Sequence, residues 1–173
     1  PELAKAVEPR RVEFIEFAAS HEEAEEFSRH FAALGFAPAG RHRSKEVVRW
    51  QQGEISLIIN SEPEGLAHSF DMVHGGSVCA IGLALDDVPG ALARADALQI
   101  PRFEQAVGPD EWPIPSVRGV GGSLLYLVDA ASRDAMWAHE FPHLLEPAQI
   151  APLSRIDHVA QTMQFEEFLS WQL

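Results

Sequence analysis

The chain has 173 residues, of which 46% are hydrophobic and 23% charged, the composition of a globular domain that can bury a core. Its 26 acidic and 13 basic residues give a formal net charge of −13, which argues against nucleic-acid binding and against attachment to anionic membranes. The single cysteine excludes an intramolecular disulfide framework, and no apolar run approaches the ~20 residues of a membrane-spanning helix. We therefore expect a cytoplasmic protein.

Both ends of the sequence suggest a segment of a longer polypeptide. Residues 1–10 combine proline, alanine and charged residues, which is typical of a linker. Residues 165–173 have helical character but contain no glycine or proline that would end a helix. We interpret residues 1–10 as a linker and residues 153–173 as the beginning of a further, truncated unit.

Residues 11–60 are predicted to form a β-α-β-β-β module. The first strand is expected at residues 12–18, and Ser20 with Glu23 forms the capping-box pattern that begins a helix. Gly35 supplies a helix end, and Gln52-Gly53 is typical of a hairpin turn. The three later strands of this module are predicted at residues 36–39, 47–51 and 55–59.

The same order of elements returns in residues 77–129. Residues 77–85 are predicted to be a strand, and Asp87 caps a helix that has Pro89 in its first turn. Three further strands are expected at residues 102–107, 116–120 and 124–128. Residues 130–152 are interpreted as an irregular connector with room for one short helix or strand.

A third module is predicted to begin after the connector, since residues 155–159 align with residues 11–15 at a constant shift of 144. The same shift places Glu166-Glu167 on Glu22-Glu23 and His158 on Phe14. The sequence therefore predicts an α+β fold: two β-α-β-β-β modules whose curved sheets face each other, with the first strand and helix of a third module.

Several side chains are candidates for a site, and each has a simpler structural explanation. The segment Arg41-His42-Arg43-Ser44-Lys45 could hold an anion, but a solvated loop paired with nearby acids is the favoured interpretation. His74-Gly75-Gly76 is explained by a tight turn, and Cys79 by burial in an apolar strand. His139 and His143 have a metal-compatible spacing, yet Pro142 interrupts any helix between them, which favours surface positions.

His158 shares one face of its predicted strand with Ile156 and Ala160, and a lone histidine on such an apolar face is more often packed in a core than bound to a metal. No complete catalytic set and no cofactor-binding motif is present in the sequence. We therefore expect no catalytic residue and no bound cofactor within these 173 residues.

Paired β-α-β-β-β modules resemble the vicinal oxygen chelate superfamily, and local segments resemble bacterial 4-hydroxyphenylpyruvate dioxygenase in particular. The similar segments occur in the family's order over about residues 11–173. They are residues 12–18, 41–45, 52–60, 74–79 and 121–129. The linker-like start and residues 155–161 look more like a fusion in which a 3-dehydroshikimate dehydratase barrel precedes a dioxygenase-like region.

The resemblance implies a metal-free half in residues 11–152 and a metal-binding half that starts near residue 153. In that family, two histidines and one glutamate hold iron; His158 matches the first ligand, and the others would lie beyond Leu173. Phe14 takes the corresponding place in the metal-free half, and Ala80 the place of a second ligand. An iron-type divalent metal and a small-molecule substrate are therefore expected in the intact parent, and no metal in this segment alone.

Three functions follow as hypotheses. The first is the non-catalytic structural half of the dioxygenase-like region of a 3-dehydroshikimate dehydratase, which acts in quinate and shikimate catabolism. The second is the N-terminal half of a stand-alone 4-hydroxyphenylpyruvate dioxygenase, which acts in tyrosine catabolism. The third is a small-molecule sequestering protein of the glyoxalase and bleomycin-resistance type, which the missing cleft ligands oppose. The unfinished unit from Arg155 onward predicts self-association or docking on an adjacent domain.

Overall fold

The computed structural model describes residues 5–104, 107–145 and 152–171. Its elements, in chain order, are β1 (Arg11–Ala18), α1 (His21–Ala33), β2 (Ala37–Arg41), β3 (Val47–Gln52), β4 (Ile55–Asn60), α2 (Gly65–His74), β5 (Ser77–Leu85), α3 (Val88–Ala97), β6 (Arg102–Phe103), β7 (Ser116–Arg118), β8 (Leu124–Asp129), α4 (Arg133–Glu140), β9 (His143–Leu144) and α5 (Phe165–Trp171). No helix in these described ranges is long and apolar enough to cross a membrane.

The nine described strands form one mixed sheet in the order β6-β7-β8-β5-β1-β4-β3-β2-β9. In each module the first strand runs parallel to the last, β1 beside β4 and β5 beside β8. The modules join where β1 pairs antiparallel with β5. The two predicted modules are confirmed, and this pairing makes their sheets continuous.

Helix α1 packs on one face of the sheet. Phe27 and Phe31 of the helix contact Phe17 of β1, with ring centroids 5.1 and 5.3 Å apart. The predicted capping box is confirmed: the Glu23 amide donates to the Ser20 hydroxyl, and the Ser20 amide donates to the Glu23 carboxylate. This side of the sheet is an ordinary apolar core.

The opposite face is covered by α4 and α2. Met136 and Trp137 of α4 pack on Phe14, Ile58 and Val128 of the sheet. Ala67 of α2 packs in a second cluster with small residues of β1 and β5. No helix was predicted where α2 lies, and only a short helix or strand was allowed for in the connector that holds α4. The covering of this face was therefore not predicted from the sequence.

Three predicted elements differ in extent. The strand expected at 102–107 is limited to Arg102–Phe103, and residues 105 and 106 lie outside the described ranges. The strand expected at 116–120 ends at Arg118, because the chain turns into a short 3₁₀ segment at Val120–Gly122. The connector holds both α4 and β9, and β9 pairs with β2 at the far edge of the sheet.

The third unit is formed only in part. Helix α5 begins at Phe165, which is 144 positions after His21, where α1 begins. The strand expected at 155–159 was wrong, since residues 152–164 contain no strand. A strand is held by hydrogen bonds to neighbouring strands, and the described residues after 159 contain no strand equivalent to β4 or β5 of the first module.

Residues 153–156 lie instead against the first module, near the β3–β4 turn. The Leu153 amide donates to Gln52 Oε1 at 3.1 Å, and the Glu54 amide donates to the Ser154 carbonyl at 2.9 Å. Ile156 is half-buried against the cluster under α1. The further unit is thus anchored at its start.

A buried carboxylate links α4 to the sheet. Glu13 is 1% exposed, and it is the extra residue of a β-bulge, because Val12 and Phe14 pair with consecutive residues of β5. Its carboxylate accepts hydrogen bonds from Arg11 Nε at 2.9 Å, Arg133 Nη2 at 2.9 Å and Trp137 Nε1 at 2.7 Å. Burial alone would raise the pKa of Glu13, but these hydrogen bonds outweigh burial and hold the pKa below its ordinary value.

Replacing Glu13 with glutamine should destabilise the fold by about 2–4 kcal/mol at pH 6, because two arginines lose their buried partner. A lowered carboxyl pKa contributes stability above the unfolded pKa of about 4.3, and that stability is lost as pH falls through the folded value. The difference in the free energy of unfolding between wild type and Glu13→Gln should therefore decrease towards pH 3. Urea denaturation of both proteins at pH 6 and pH 3 measures this difference.

The matched control is Glu54→Gln. Glu54 also pairs with Arg11, at 2.8 Å, but its side chain is 66% exposed, so its loss should cost less than about 1 kcal/mol. The assigned role of Glu13 would be contradicted if both variants lost the same free energy of unfolding. It would also be contradicted if the difference between wild type and Glu13→Gln grew on acidification.

Candidate functional site

The face of the sheet under α4 and α2 encloses a cavity of about 550 Å³. Strands from both modules form its floor, α4 and the loop at residues 111–115 form one side, and the start of α2 forms another. Its volume lies within the range of pockets that hold small molecules. The cavity is the candidate site because aromatic and polar side chains from both modules converge on it.

Aromatic rings line much of this cavity. They come from strands, from the loop at 111–115 and from α4, and they are Phe14, Phe103, Trp112, Tyr126, Trp137 and Phe141. Aliphatic side chains such as Ile58 and Ile114 fill the gaps between the rings. A flat apolar molecule would therefore find aromatic surface on several sides.

Phe14 lies at the junction of the two modules. It pairs with Gly82 of β5, which in turn pairs with Tyr126 of β8, so the three residues form one row across the sheet. The rings of Phe14 and Tyr126 lie 5.7 Å apart, centroid to centroid. Ala80, to which the sequence analysis gave the place of a second ligand, pairs with Glu16. The residue beside Phe14 is therefore Gly82.

A polar pair lies among these rings. Asn60 Nδ2 donates to Glu16 Oε1 at 2.7 Å, and Asn60 Oδ1 accepts from the Glu62 amide at 3.1 Å. Burial raises the pKa of Glu16, and the bond from Asn60 and the charge of Lys45 offset this only in part. Glu16 is thus a carboxyl group that takes up a proton more readily than an exposed one.

The basic segment at residues 41–45 pairs with acids, as predicted, but it is less solvated than expected. His42 Nε2 lies 2.7 Å from Glu140 Oε2, and both side chains are buried. Lys45 Nζ donates to Glu111 Oε2 at 2.8 Å. Through these two pairs, His42 and Lys45 hold the end of α4 and the loop at 111–115 over the sheet. Both side chains also line the cavity.

His158 lies outside the cavity wall. Its side chain is 80% exposed, and its Nδ1 is 3.1 Å from Asp157 Oδ2. The described residues contain no group of three or more histidine, cysteine, aspartate or glutamate side chains that could hold a metal. The donor set in the described residues therefore does not fit an iron site by itself.

The other candidate residues have structural roles. His139 belongs to α4 and His143 to β9, so the two do not share a helix, in line with the interruption expected from Pro142. His74 ends α2 and stacks near Phe70, and Gly75 has a positive φ of 69° in the turn that follows. Cys79 is 1% exposed, and burial raises the pKa of its thiol, so it is an unreactive core residue.

Four residues of this face were not predicted from the sequence: Glu13, Glu16, Asn60 and Tyr126. The available signal was the strand at residues 12–18, which carries two glutamates among aromatic and aliphatic residues. An acid on a strand that is covered on both faces requires a partner or a raised pKa. Here Glu13 has the partners and Glu16 the raised pKa.

Gly82 is required because the Phe14 ring lies on it. A Cβ atom at residue 82 would lie 2.3 Å from Phe14 Cε1. Gly82→Ala should therefore destabilise the protein by about 1–3 kcal/mol, measured by chemical denaturation.

Phe14→Leu provides the second arm of a double-mutant cycle. In that background Gly82→Ala should cost at least about 1 kcal/mol less, because the ring that it would strike is absent. Additive effects of the two substitutions would show that the ring and the glycine are not coupled.

Comparison with known proteins agrees with this architecture. Residues 7–141 match the family model described as hydroxyphenylpyruvate dioxygenase, HPPD, N-terminal. The chain is 39% identical over 163 residues to a 3-dehydroshikimate dehydratase of Pseudomonas putida, covering 94% of this chain and 26% of that protein. It is 31% identical to a 4-hydroxyphenylpyruvate dioxygenase of Pseudomonas aeruginosa, covering 92% of this chain and 46% of the relative.

A solved structure described as a xylose isomerase-like TIM barrel/4-hydroxyphenylpyruvate dioxygenase fusion protein superposes with a TM-score of 0.88 at 38% identity, covering 98% of this chain and 27% of that chain. The chain therefore spans about a quarter of the dehydratase relative and of the fusion protein. The match over residues 7–141, carried by the paired modules described above, places the chain in the family of hydroxyphenylpyruvate dioxygenase N-terminal domains.

Proposed function

We propose that this chain is the non-catalytic structural half of the dioxygenase-like region of a 3-dehydroshikimate dehydratase. That lyase would convert 3-dehydroshikimate to protocatechuate in a barrel outside these residues, in the cytoplasm. The observation that carries the proposal is that an aromatic residue, and not a histidine, occupies the position equivalent to His158. Phe14 stands there, and its ring packs on Gly82 and Tyr126.

The chemistry of these side chains supports a packing role for the first half. A phenyl ring has no lone pair to donate to a metal, whereas imidazole does. Phe14 is 5% exposed and also contacts Trp137, with ring centroids 5.8 Å apart. The alignment with His158 would put a metal ligand at this junction. An apolar contact that joins both modules and α4 lies there instead.

We place the metal of the intact parent in the following half, with His158 as one ligand. When bound, an iron-type ion would supply a site for oxygen and a 2-oxo acid in a dioxygenase. In this chain His158 is an exposed imidazole next to Asp157, so it is accessible to ligands contributed by other residues. What this chain itself contributes is one nitrogen donor and the folded module that precedes it.

In the longer protein, His158→Ala should lower the iron content of the purified enzyme, since one of three protein ligands is lost. Phe14→Ala should leave the iron content per folded molecule unchanged and should cost about 3–5 kcal/mol of stability. Elemental analysis and denaturation measure the two effects.

Any upstream dehydratase activity should persist in His158→Ala, and the 173-residue chain alone should neither consume oxygen with 4-hydroxyphenylpyruvate nor form protocatechuate. Full iron occupancy in His158→Ala would overturn the ligand assignment. Turnover by the chain alone would overturn the non-catalytic role.

The second candidate is half of a stand-alone 4-hydroxyphenylpyruvate dioxygenase. The similarity to the dioxygenase of Pseudomonas aeruginosa favours it, because this chain covers 46% of that relative and therefore about one half of it. The coding sequence around this segment distinguishes the two: an upstream barrel selects the dehydratase fusion, and a start codon near Pro1 selects the dioxygenase.

We also propose that the surface of α5 mediates self-association. Phe165, Phe168 and Leu169 lie three and four positions apart, so they share one side of the helix, and they are 68%, 43% and 46% exposed. Apolar side chains grouped on one side of a helix favour burial against a partner.

Sedimentation at micromolar concentrations should show a dimer for the wild-type chain and a monomer for Phe168→Glu. Met72→Glu is the matched control, since Met72 is 73% exposed on α2 and far from α5 in sequence. A wild-type monomer, or an equal effect of both substitutions, would contradict this role for α5.

A further inference from the structure

Residues 153–167 run along the α1 face of the sheet and contact both modules; we call them the strap. The strap begins on the β3–β4 turn of the first module, through Leu153 and Ser154. It ends on the 3₁₀ segment before β8 in the second module, through Gln161 and Glu167. The strap therefore adds a connection between the modules to the one that β1 and β5 make by pairing.

The first contact of the strap is built around the buried amide of Gln52. This side chain is 0% exposed, and its Nε2 donates to the Leu34 carbonyl at the end of α1 at 2.8 Å. Its Oε1 accepts from the Leu153 amide at 3.1 Å. A buried side-chain amide is costly unless both of its ends have partners, and the strap supplies the partner of Oε1.

The β3–β4 turn leaves room for the strap because residue 53 is glycine. Gly53 has a positive φ of 56°, and a Cβ atom there would lie 2.7 Å from the Leu153 carbonyl oxygen. The next amide, that of Glu54, donates to the Ser154 carbonyl at 2.9 Å. Gly65 also has a positive φ, of 85°, yet a Cβ atom there would meet nothing within 4 Å. The conformation of the backbone explains Gly65, whereas Gly53 also admits the strap.

The second contact lies at the opposite end of the sheet. Gln161 Nε2 donates to the Val120 carbonyl at 3.3 Å, and the Gly121 amide donates to Glu167 Oε1 at 2.5 Å. Strand β4 starts near the start of β1, whereas β8 starts near the start of β5, which is antiparallel to β1. The seven residue steps from Ser154 to Gln161 can span about 23 Å, and the six residues of β4 rise about 20 Å. An extended chain is therefore long enough to cross this face.

Between the two contacts the strap is held less closely. Ile156 is half-buried in the cluster between α1 and the sheet, while residues 157–160 are exposed. The solved fusion protein superposes on 98% of this chain, so the superposition includes most of the strap. The strap therefore belongs to an arrangement that a longer protein also has.

We propose that Gln52, Gly53 and Gly121 form a docking surface for the beginning of the following half of the polypeptide, and that the strap binds to this surface as one unit. His158 lies between the two contacts, so docking at both ends restrains the segment that carries it. The proposal rests on the proposed function only in assigning residues 153–173 to a following half. Its tests use neither metal nor substrate, so failure of the docking and failure of the iron assignment are separate outcomes.

Amide hydrogen exchange of the wild-type chain and of Leu153→Pro, followed by NMR, tests the docking. The substitution removes the amide that donates to Gln52. In the wild type the amides of Glu54 and Gly121 should exchange slowly, since both donate to the strap. In Leu153→Pro both should exchange at least about fivefold faster, the effect of one lost hydrogen bond on a strap that is released as a unit. Unchanged exchange at Gly121 would overturn binding as one unit, and unchanged exchange at both amides would overturn the docking.

Val159→Pro is the matched control. Val159 is 43% exposed between the two contacts, and its amide donates no hydrogen bond in the described part of the chain. This substitution should leave the exchange of Glu54 and Gly121 unchanged. If both prolines accelerated exchange equally, stiffening of the strap would be the cause, and the role given to Gln52 would be overturned.

Gly53→Ala and Gly65→Ala test the surface from the side of the turn. Both variants place a methyl group at a positive φ, but only at Gly53 would it strike the strap. Gly53→Ala should therefore accelerate exchange at Gly121, at the far end of the sheet, and Gly65→Ala should not. Equal exchange at Gly121 in the two folded variants would overturn the role of Gly53. If Gly53→Ala does not fold, the comparison of Leu153→Pro with Val159→Pro decides.

The dependence of exchange on protein concentration identifies the occupant of the surface. A strap that docks within its own chain should protect Glu54 and Gly121 equally at all concentrations, including those at which the chain is a monomer. Protection that is lost on dilution would show that the strap docks on a second copy, which would overturn the proposal.

Discussion

The structure depends on the antiparallel pairing of β1 with β5. Each of these strands also has a parallel partner in its own module, so the pairing converts two four-stranded units into one sheet. The pairing is irregular at two places, between Val12 and Phe14 and between Glu16 and Phe17. At the first irregularity Glu13 is the additional residue, and both Glu13 and Phe14 contact Trp137 of α4. One bulge thereby fixes the helix that closes the cavity.

Electrostatics then divides this face of the sheet into two regions. Near the bulge, Glu13 neutralises part of a cluster of arginines, and Arg49 lies 3.9 Å above the Trp137 ring. Burial lowers the pKa of Arg49 to about 10, so the side chain remains cationic at neutral pH and keeps its attraction to Glu13. Near Glu16 the walls carry an excess of acid, and the basic groups are already paired. The first region holds α4 in place, and the second borders the cavity.

The sequence could predict those elements that depend on contacts between residues close together along the chain. The helix after Ser20 was predictable because its capping box lies within four residues, and the helix after Asp87 because of its cap and Pro89. Helix α2 was missed, since Glu64 at its N-terminus makes no side-chain cap and only Ala67 is fully buried. The Glu16–Asn60 pair could not be foreseen, because its 44-residue separation is closed only by the register of β1 and β4.

The third unit is half formed for the same reason: contacts within one segment hold its helix, whereas its strand would need distant segments. Helix α5 begins where the internal repeat places it, since a helix satisfies its backbone within one segment. Residues 155–159 form no strand, since a strand needs neighbours and β1 obtains its own from β4 and β5. In the first module those neighbours bring Gly82 beside Phe14 and complete the row to Tyr126. His158 occupies the equivalent position in sequence, but a side chain can act at such a junction only when strands on both sides hold it there. The exposure of His158 and the burial of Phe14 are therefore two consequences of one requirement, the pairing of the strand that carries each residue.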